Sequence, residues 1–596
     1  MNMKPWRLLP WFLFIGLQPL GSPALDIAYR ISLPDPSNHY VHVQIDLDGL
    51  DQEILDLQLP AWSPGLYLIL DFARMVSGFS AESLAGPLTY EKIEKHTWRV
   101  ATRGASKITA RYKVYANILN GAYSQVNDYH ALLAGSSLYM YAVGHKDQPV
   151  TLEITVPAGW QILSSAGDPG QTRFRFPNYD LLIDELAQLG DFYVESFSSA
   201  NTEYRVCILK PNTEASLIPA FVQKIRAMQE TTEAMLGPLD TPRYTFFFQF
   251  LPDTPTSVGM EHFNGCQMTR RHPLSETGAA MDLTLWVTAH ELAHAWNVKR
   301  LRPQGLGPFD YTRETYTSLL WFAEGLTNYL ADLIMVRCGL WNRPQLYARL
   351  ASNISTFRFS PGIYERSPES ASFDTWLTPV NLAASQSDWN QTWVSYYLSG
   401  ELIGVCLDLE IRHRTGNQKT FEDFFQLLYQ RTYGQAPAES YYAPGRGFTT
   451  ADVLQALADT TGSDWQAFYQ DWIATTGDIP FETFLAHAGL LLKPQGQARS
   501  AETLFSVSPM SWDLFWEEQW PFSDLLWEIN PKTFSDQIQK LDLDPRSLFQ
   551  PPENPIFVPY EIVEAPEVSP LEWQIREDWL RPVPGPPTGV RDAWVH

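Results

Sequence analysis

The residue types that could do chemistry gather in one stretch of this 596-residue chain, Ala289-His290-Glu291-Leu292-Ala293-His294-Ala295-Trp296-Asn297. Five of these residues spell H-E-x-x-H. On a helix, positions i and i+4 share a face about one turn apart, so the imidazoles of His290 and His294 can grip a single zinc ion. Glu291 then stands beside the metal. Its carboxylate can take a proton from a water that zinc has made acidic, which releases hydroxide for attack on a peptide carbonyl. The competing explanation is a helix that merely carries two buried, hydrogen-bonded histidines.

A catalytic zinc site needs a third protein ligand, and the next periodic segment offers one. A helix is expected from near Tyr316 to Cys338-Gly339, and its only acidic residues are Glu324 and Asp332. Glu324 sits in Trp321-Phe322-Ala323-Glu324-Gly325-Leu326-Thr327, among aromatic and aliphatic neighbours. A buried carboxylate without a partner costs several kcal/mol or more. Zinc is one candidate partner, because Glu324 lies 30 positions beyond His294, enough for two antiparallel helices and their loop. A salt bridge to Arg300, Arg302 or Arg337 is the other.

The elements that must position these groups can be read outward from the motif. Its helix is expected over roughly Asp282 to Val298. Upstream, a strand (Tyr204 to Leu209), an amphipathic helix (Ala215 to Leu236) and a second strand (Tyr244 to Leu251) precede Gly259-Met260-Glu261-His262. From Leu25 to Phe197 short alternating runs such as Tyr40 to Leu47 and Lys107 to Val114 are separated by Pro, Gly and Asp turns, the pattern of a sandwich-like β domain. Within it, Leu59 to Tyr67 is turn-rich and aromatic and reads as a rigid corner between strands. From Ser352 to Leu492 the pattern is mainly helical. Beyond about Gln495, Trp and Pro become frequent and no long periodicity survives, so loosely structured segments or an extended tail are expected.

Composition excludes several classes. A net charge of −24 opposes nucleic-acid binding, which needs clustered Lys and Arg. Hydrophobic residues at 45% and charged residues at 18% are those of a globular protein. Cys207, Cys266, Cys338 and Cys406 are scattered without CxxC spacing, so the metal argument rests on His and Glu. Lys4 and Arg7, an apolar run from Leu8 to Leu20, and Ser22-Pro23-Ala24 read as a secretory signal, which implies a secreted or periplasmic protein. An uncleaved anchor is the alternative. No later segment is long and apolar enough for a membrane span, so none is expected after signal removal. The oligomeric state is not legible.

His290 through Pro303 (H-E-L-A-H-A-W-N-V-K-R-L-R-P), followed by Leu320-Trp321-Phe322-Ala323-Glu324-Gly325-Leu326-Thr327, closely resembles the glycyl aminopeptidase family of zinc metallopeptidases. That family belongs to the gluzincins, whose third ligand is a Glu. Leu59 to Tyr67, Asp71-Phe72-Ala73-Arg74 and Tyr469-Gln470-Asp471-Trp472 to Leu492 are similar to other parts of it, so the likeness runs from about Ala24 to Leu492. The resemblance implies an α+β multidomain fold: an N-terminal β-sandwich-like domain over 25–197, a thermolysin-like catalytic domain over 198–350 and its helical lobe over 351–494, to which the composition adds a signal peptide over 1–24 and an irregular Trp/Pro-rich acidic extension over 495–596. By analogy with thermolysin-like enzymes, Tyr244 to Leu251 is expected as the edge strand that binds the substrate backbone.

The same resemblance implies removal of N-terminal Gly or Ala from peptides with a free N-terminus, using one zinc ion held by His290, His294 and Glu324, with Glu291 as general base. Gly259-Met260-Glu261-His262 looks like the family's substrate-binding G-G-x-E-H segment, with Val258 in place of the first Gly. Glu261 would pair with the substrate's α-ammonium, a charge-assisted contact that measures one residue from the chain end. Tyr396-Tyr397-Leu398-Ser399-Gly400 is similar to a segment whose Tyr steadies the oxyanion. Tyr397 is the expected donor, with Tyr396 second. The PDZ domain usual in the family is not recognisable after Gln495. Two other functions stay open, a zinc endopeptidase and a catalytically silent peptide- or protein-binding protein on the same fold.

Overall fold

The computed structural model describes residues 25–254, 257–377, 392–435, 447–495, 499–500 and 556–583. The expected signal segment and much of the C-terminal extension lie outside them. Among the described residues no helix is long and apolar enough to cross a membrane, and the four cysteines are buried and free.

The N-terminal domain, from Asp26 to Gly190, is β apart from short helical turns. Tyr40–Asp48 buries Val41, Val43, Ile45 and Leu47 on one face, as a half-buried strand must. It is flanked antiparallel by Asp26–Ser32 and Lys107–Tyr115 within a seven-stranded sheet. Two four-stranded sheets complete this layer around its own apolar core.

The catalytic half is built on a five-stranded sheet in the order Phe192–Ser199, Thr202–Leu209, Arg243–Phe250, Gly265–Arg270, Val258–His262. This corrects the edge-strand expectation. Arg243–Phe250 lies in the middle, parallel to both neighbours, because its run of Phe246, Phe247 and Phe248 is buried on both faces. The outer strand is Val258–His262, antiparallel to Gly265–Arg270, so Glu261 sits on a sheet edge. Against the sheet pack the helices Ile218–Leu236 and Ala279–Ala293.

The helical lobe follows, with Arg343–Phe359, Tyr396–Arg414, Phe421–Arg431 and Thr450–Thr461 as its longer members. The C-terminal extension is not irregular throughout. Tyr560–Glu564 pairs antiparallel with Leu490–Pro494, and a capped helix, Pro570–Trp579, buries Ile575 and Trp579 in the catalytic core. Its short amphipathic pattern among prolines carried too little periodicity to read. The Trp579 indole donates to the Tyr329 hydroxyl at 2.9 Å, and Arg337 donates to the Trp579 carbonyl at 2.9 Å.

Candidate active site

The motif helix ends at Ala293, one turn sooner than expected. His294 keeps helical backbone and its N–H still reaches the His290 carbonyl at 3.1 Å, so the one-turn spacing survives. The next residues turn away. Asn297 donates to the carbonyl of Phe322 at 2.9 Å and to the Thr327 hydroxyl at 3.0 Å, which ties the motif to the segment that carries Glu324.

That segment opens as a single π-helical turn, Trp321–Gly325, before the α-helix Leu326–Arg337 begins, later than the start expected near Tyr316. Such a turn adds a residue per turn and redirects a side chain, here Glu324. It is possible because Gly325 and Gly400 meet. A Cβ on Gly325 would stand 2.7 Å from the Tyr396 carbonyl oxygen, and one on Gly400 would stand 2.7 Å from Gly325 Cα. Gly400, three positions after Tyr397, is thus a close-approach residue between two backbones.

His290, His294 and Glu324 converge in the buried interior. His290 Nε2 and His294 Nε2 are 2.9 Å apart, and they stand 3.8 and 3.2 Å from Glu324 Oε2. Ligands of a tetrahedral zinc ion at about 2.0–2.1 Å lie about 3.3 Å from one another, so this triangle fits the ion. His294 Nδ1 lies 2.6 Å from the Asn297 carbonyl oxygen, which as a donor contact leaves Nε2 bare for a metal. None of Arg300, Arg302 and Arg337 forms an ion pair with Glu324 among the described residues.

A second group, Glu261, Glu291 and His294, shares this point. Glu291 Oε2 and Glu261 Oε1 are buried without hydrogen-bond partners. Burial, reinforced by Glu261 and Glu324 and opposed by His294, pushes the Glu291 carboxyl up to about 8. Burial likewise raises Glu261, against the pull of Lys299 and His294. Burial alone would lower His294, yet Glu324, Glu261 and Glu291 lift it to about 10. His290 is instead held well below its ordinary value by burial and by His294, and so is neutral. Three buried carboxylates outnumber the cations beside them, His294 and Lys299, and a divalent cation supplies the missing positive charge better than a proton. The donors and the charge both fit zinc.

The neighbouring residues divide by what they touch. Gly259 brings the edge-strand backbone so close to Glu291 that a Cβ there would stand 2.8 Å from its carboxyl carbon. Lys299 donates to Asp184 at 2.9 Å and stands 3.9 Å from Glu261 Oε1. Met260 and His262, expected beside the substrate, are instead buried against the N-terminal domain. Met260 joins that domain's core, and His262 Nδ1 lies 3.0 Å from the Asp184 carbonyl. Burial drops the His262 imidazole to about 4. The Tyr397 ring lies 6.3 Å from that of His290 and is only partly buried, whereas the Tyr396 hydroxyl is engaged by Thr375 at 2.9 Å.

One residue at the site was missed entirely. Tyr67, in the stretch read as an inter-strand corner, donates to Glu324 Oε1 at 2.8 Å. Burial and the Glu324 carboxylate keep its phenol protonated. The available signal was a rigid Pro64-Gly65 turn delivering an aromatic residue with a polar tip.

Comparison with known proteins places these features. Residues 28–190 match the family model described as the peptidase M61 N-terminal domain, and residues 283–403 match that of M61 glycyl aminopeptidase. The chain carries both domains of the M61 glycyl aminopeptidase family. It is accordingly a zinc aminopeptidase acting on peptides. Its fold is similar to the crystal structure of an aminopeptidase N family protein from Idiomarina loihiensis, at 25% identity and a TM-score of 0.72, with 79% of each chain covered. Looser likenesses include an M1 zinc metallopeptidase mutant from Deinococcus radiodurans bound to a Tyr-Ser-Ala substrate (13% identity, TM-score 0.47, 77% of this chain and 96% of that one). Yeast LTA4 hydrolase is another (14%, TM-score 0.43, 78% and 70%). A search of curated protein sequences gives no match.

Proposed function

We propose that this M61 chain removes single small residues, Gly or Ala, from the free N-terminus of peptides, with His290, His294 and Glu324 holding one zinc ion. The observation that carries the reading is the shared vertex of the two buried groups. Glu261 and Glu291 both lie within reach of His294, so an α-ammonium paired with Glu261 sets the first peptide bond beside the metal ligands and Glu291. Zinc in this position supplies the Lewis acidity that polarises the carbonyl and acidifies water.

The chain's own residues do the rest. Glu291 takes the proton of the attacking water and passes it to the leaving amine. Tyr397 donates a hydrogen bond to the oxyanion that develops only in the transition state. Glu261 counts the chain end. The Gly65 backbone approaches Glu261 so closely that a Cβ there would stand 2.6 Å from its Oε1, which supports a preference for small side chains, in keeping with the family's glycyl description. The segment 1–24 is proposed as an export signal that places the enzyme outside the cytoplasm.

The test is a digest of a peptide library with and without a chelator. Stepwise loss of N-terminal Gly and Ala from free-amine peptides, absent from acetylated copies and abolished by the chelator, is the expected outcome. Internal cleavage that ignores acetylation would replace this reading with an endopeptidase.

A further inference from the structure

Glu324 presents its two oxygens to different partners. Oε2 faces the histidines, at 3.2 Å from His294 Nε2 and 3.8 Å from His290 Nε2. Oε1 accepts the hydroxyl of Tyr67 at 2.8 Å. Tyr67 comes from the N-terminal half of the chain, yet its ring lies in the core of the catalytic half. Met260 and Tyr311 make the reverse exchange and lie in the core of the N-terminal domain.

The loop that carries Tyr67 has little freedom to move away. The Trp62 indole donates to the Asp310 carbonyl at 2.9 Å, and the Ala61 N–H donates to the Tyr311 carbonyl at 2.7 Å. Trp376 packs edge-on against the rings of Trp62 and Tyr67. Gly65 adopts φ +98°, and a Cβ there would stand 2.6 Å from Glu261 Oε1, so the loop is seated against the carboxylate cluster itself.

We infer that Tyr67 is a positioning residue for the metal: its hydroxyl holds Oε1 of Glu324 so that Oε2 alone turns to His290 and His294, and the metal site is therefore completed by the N-terminal domain. Without that donor, a buried carboxylate oxygen loses its partner and the carboxylate is free to rotate. The inference rests on His290, His294 and Glu324 being the ligands.

The experiment uses the full chain with Tyr67→Phe, which keeps the ring and removes the donor. Zinc affinity is read by competition with a chromophoric chelator, and coordination by the visible spectrum of the cobalt(II)-substituted protein. Expected are a ~10–100-fold weaker zinc affinity, a shifted cobalt spectrum, and thermal unfolding of the metal-free protein close to that of metal-free wild type. A variant with wild-type affinity and an unchanged cobalt spectrum overturns the inference, whatever its melting temperature. If Tyr67→Phe does not fold, 3,5-difluorotyrosine at position 67 retains ring and hydroxyl while making the donor more acidic. Its cobalt spectrum is expected to move, and an unmoved spectrum overturns the inference in the same way. Wild-type protein that takes up neither zinc nor cobalt refutes the ligand assignment instead.

Discussion

Among single residues, Glu291 is the one whose surroundings speak most directly to chemistry. It is buried, one of its oxygens has no hydrogen-bond partner, and the edge-strand backbone at Gly259 crowds its carboxylate. A group held in that way is aimed at something that arrives with the substrate. Glu291→Gln keeps the shape and removes the proposed base. The expected result is a loss of kcat of about 10²–10⁴-fold with zinc content and melting temperature close to wild type, checked by steady-state kinetics on a glycyl anilide and by metal analysis. Substantial residual turnover would sink the assigned role.

Elements decide whether such residues meet. The motif helix is buried on nearly all sides, so its position is set by packing rather than by an amphipathic stripe. Glu324 reaches it only because a π turn meets the Tyr396–Arg414 helix at two facing glycines. Gly400→Ala should therefore cost about 1–3 kcal/mol through overpacking and also weaken zinc binding, since the displaced turn is the one that carries Glu324. Thermal unfolding and chelator competition measure the two effects. A destabilised variant with unchanged zinc affinity would separate the packing from the site.

For the molecule as a whole, the buried charges that join the lobe to its C-terminal helix set an acid limit. Glu422 is buried. Burial alone would raise its carboxyl, but Arg337 and Arg412 pull it down to about 2, and Arg337 also holds the Trp579 carbonyl. A carboxyl depressed in the folded state stabilises the fold above its unfolded value near 4.5 and loses that contribution as pH falls toward 2. Urea unfolding followed from pH 7 to pH 2 should show this loss, on the order of a few kcal/mol. In Glu422→Gln stability is expected to be lower at pH 7 and the slope between pH 4.5 and 2 flatter, while an unchanged slope would place the acid sensitivity elsewhere.

The local pattern carried the metal motif and the family likeness. H-E-x-x-H needs only helical spacing, and Glu324 was conspicuous as a carboxylate in an apolar run, so both are visible wherever the chain goes. Alternating runs likewise announced the β domain, because strand burial has a period of two. Pairing is a different matter. Which of two apolar strands becomes central depends on neighbours far along the chain, and Tyr244 to Leu251 could be read as an edge until both of its flanks were filled. Tyr67, 257 positions before Glu324, was invisible for the same reason, as was the tail helix that buries Trp579. The sequence by itself determined which side chains could bind zinc and move a proton. Only the tertiary structure decided that the N-terminal domain reaches the same carboxylate, since a contact between distant segments has no local periodicity to announce it.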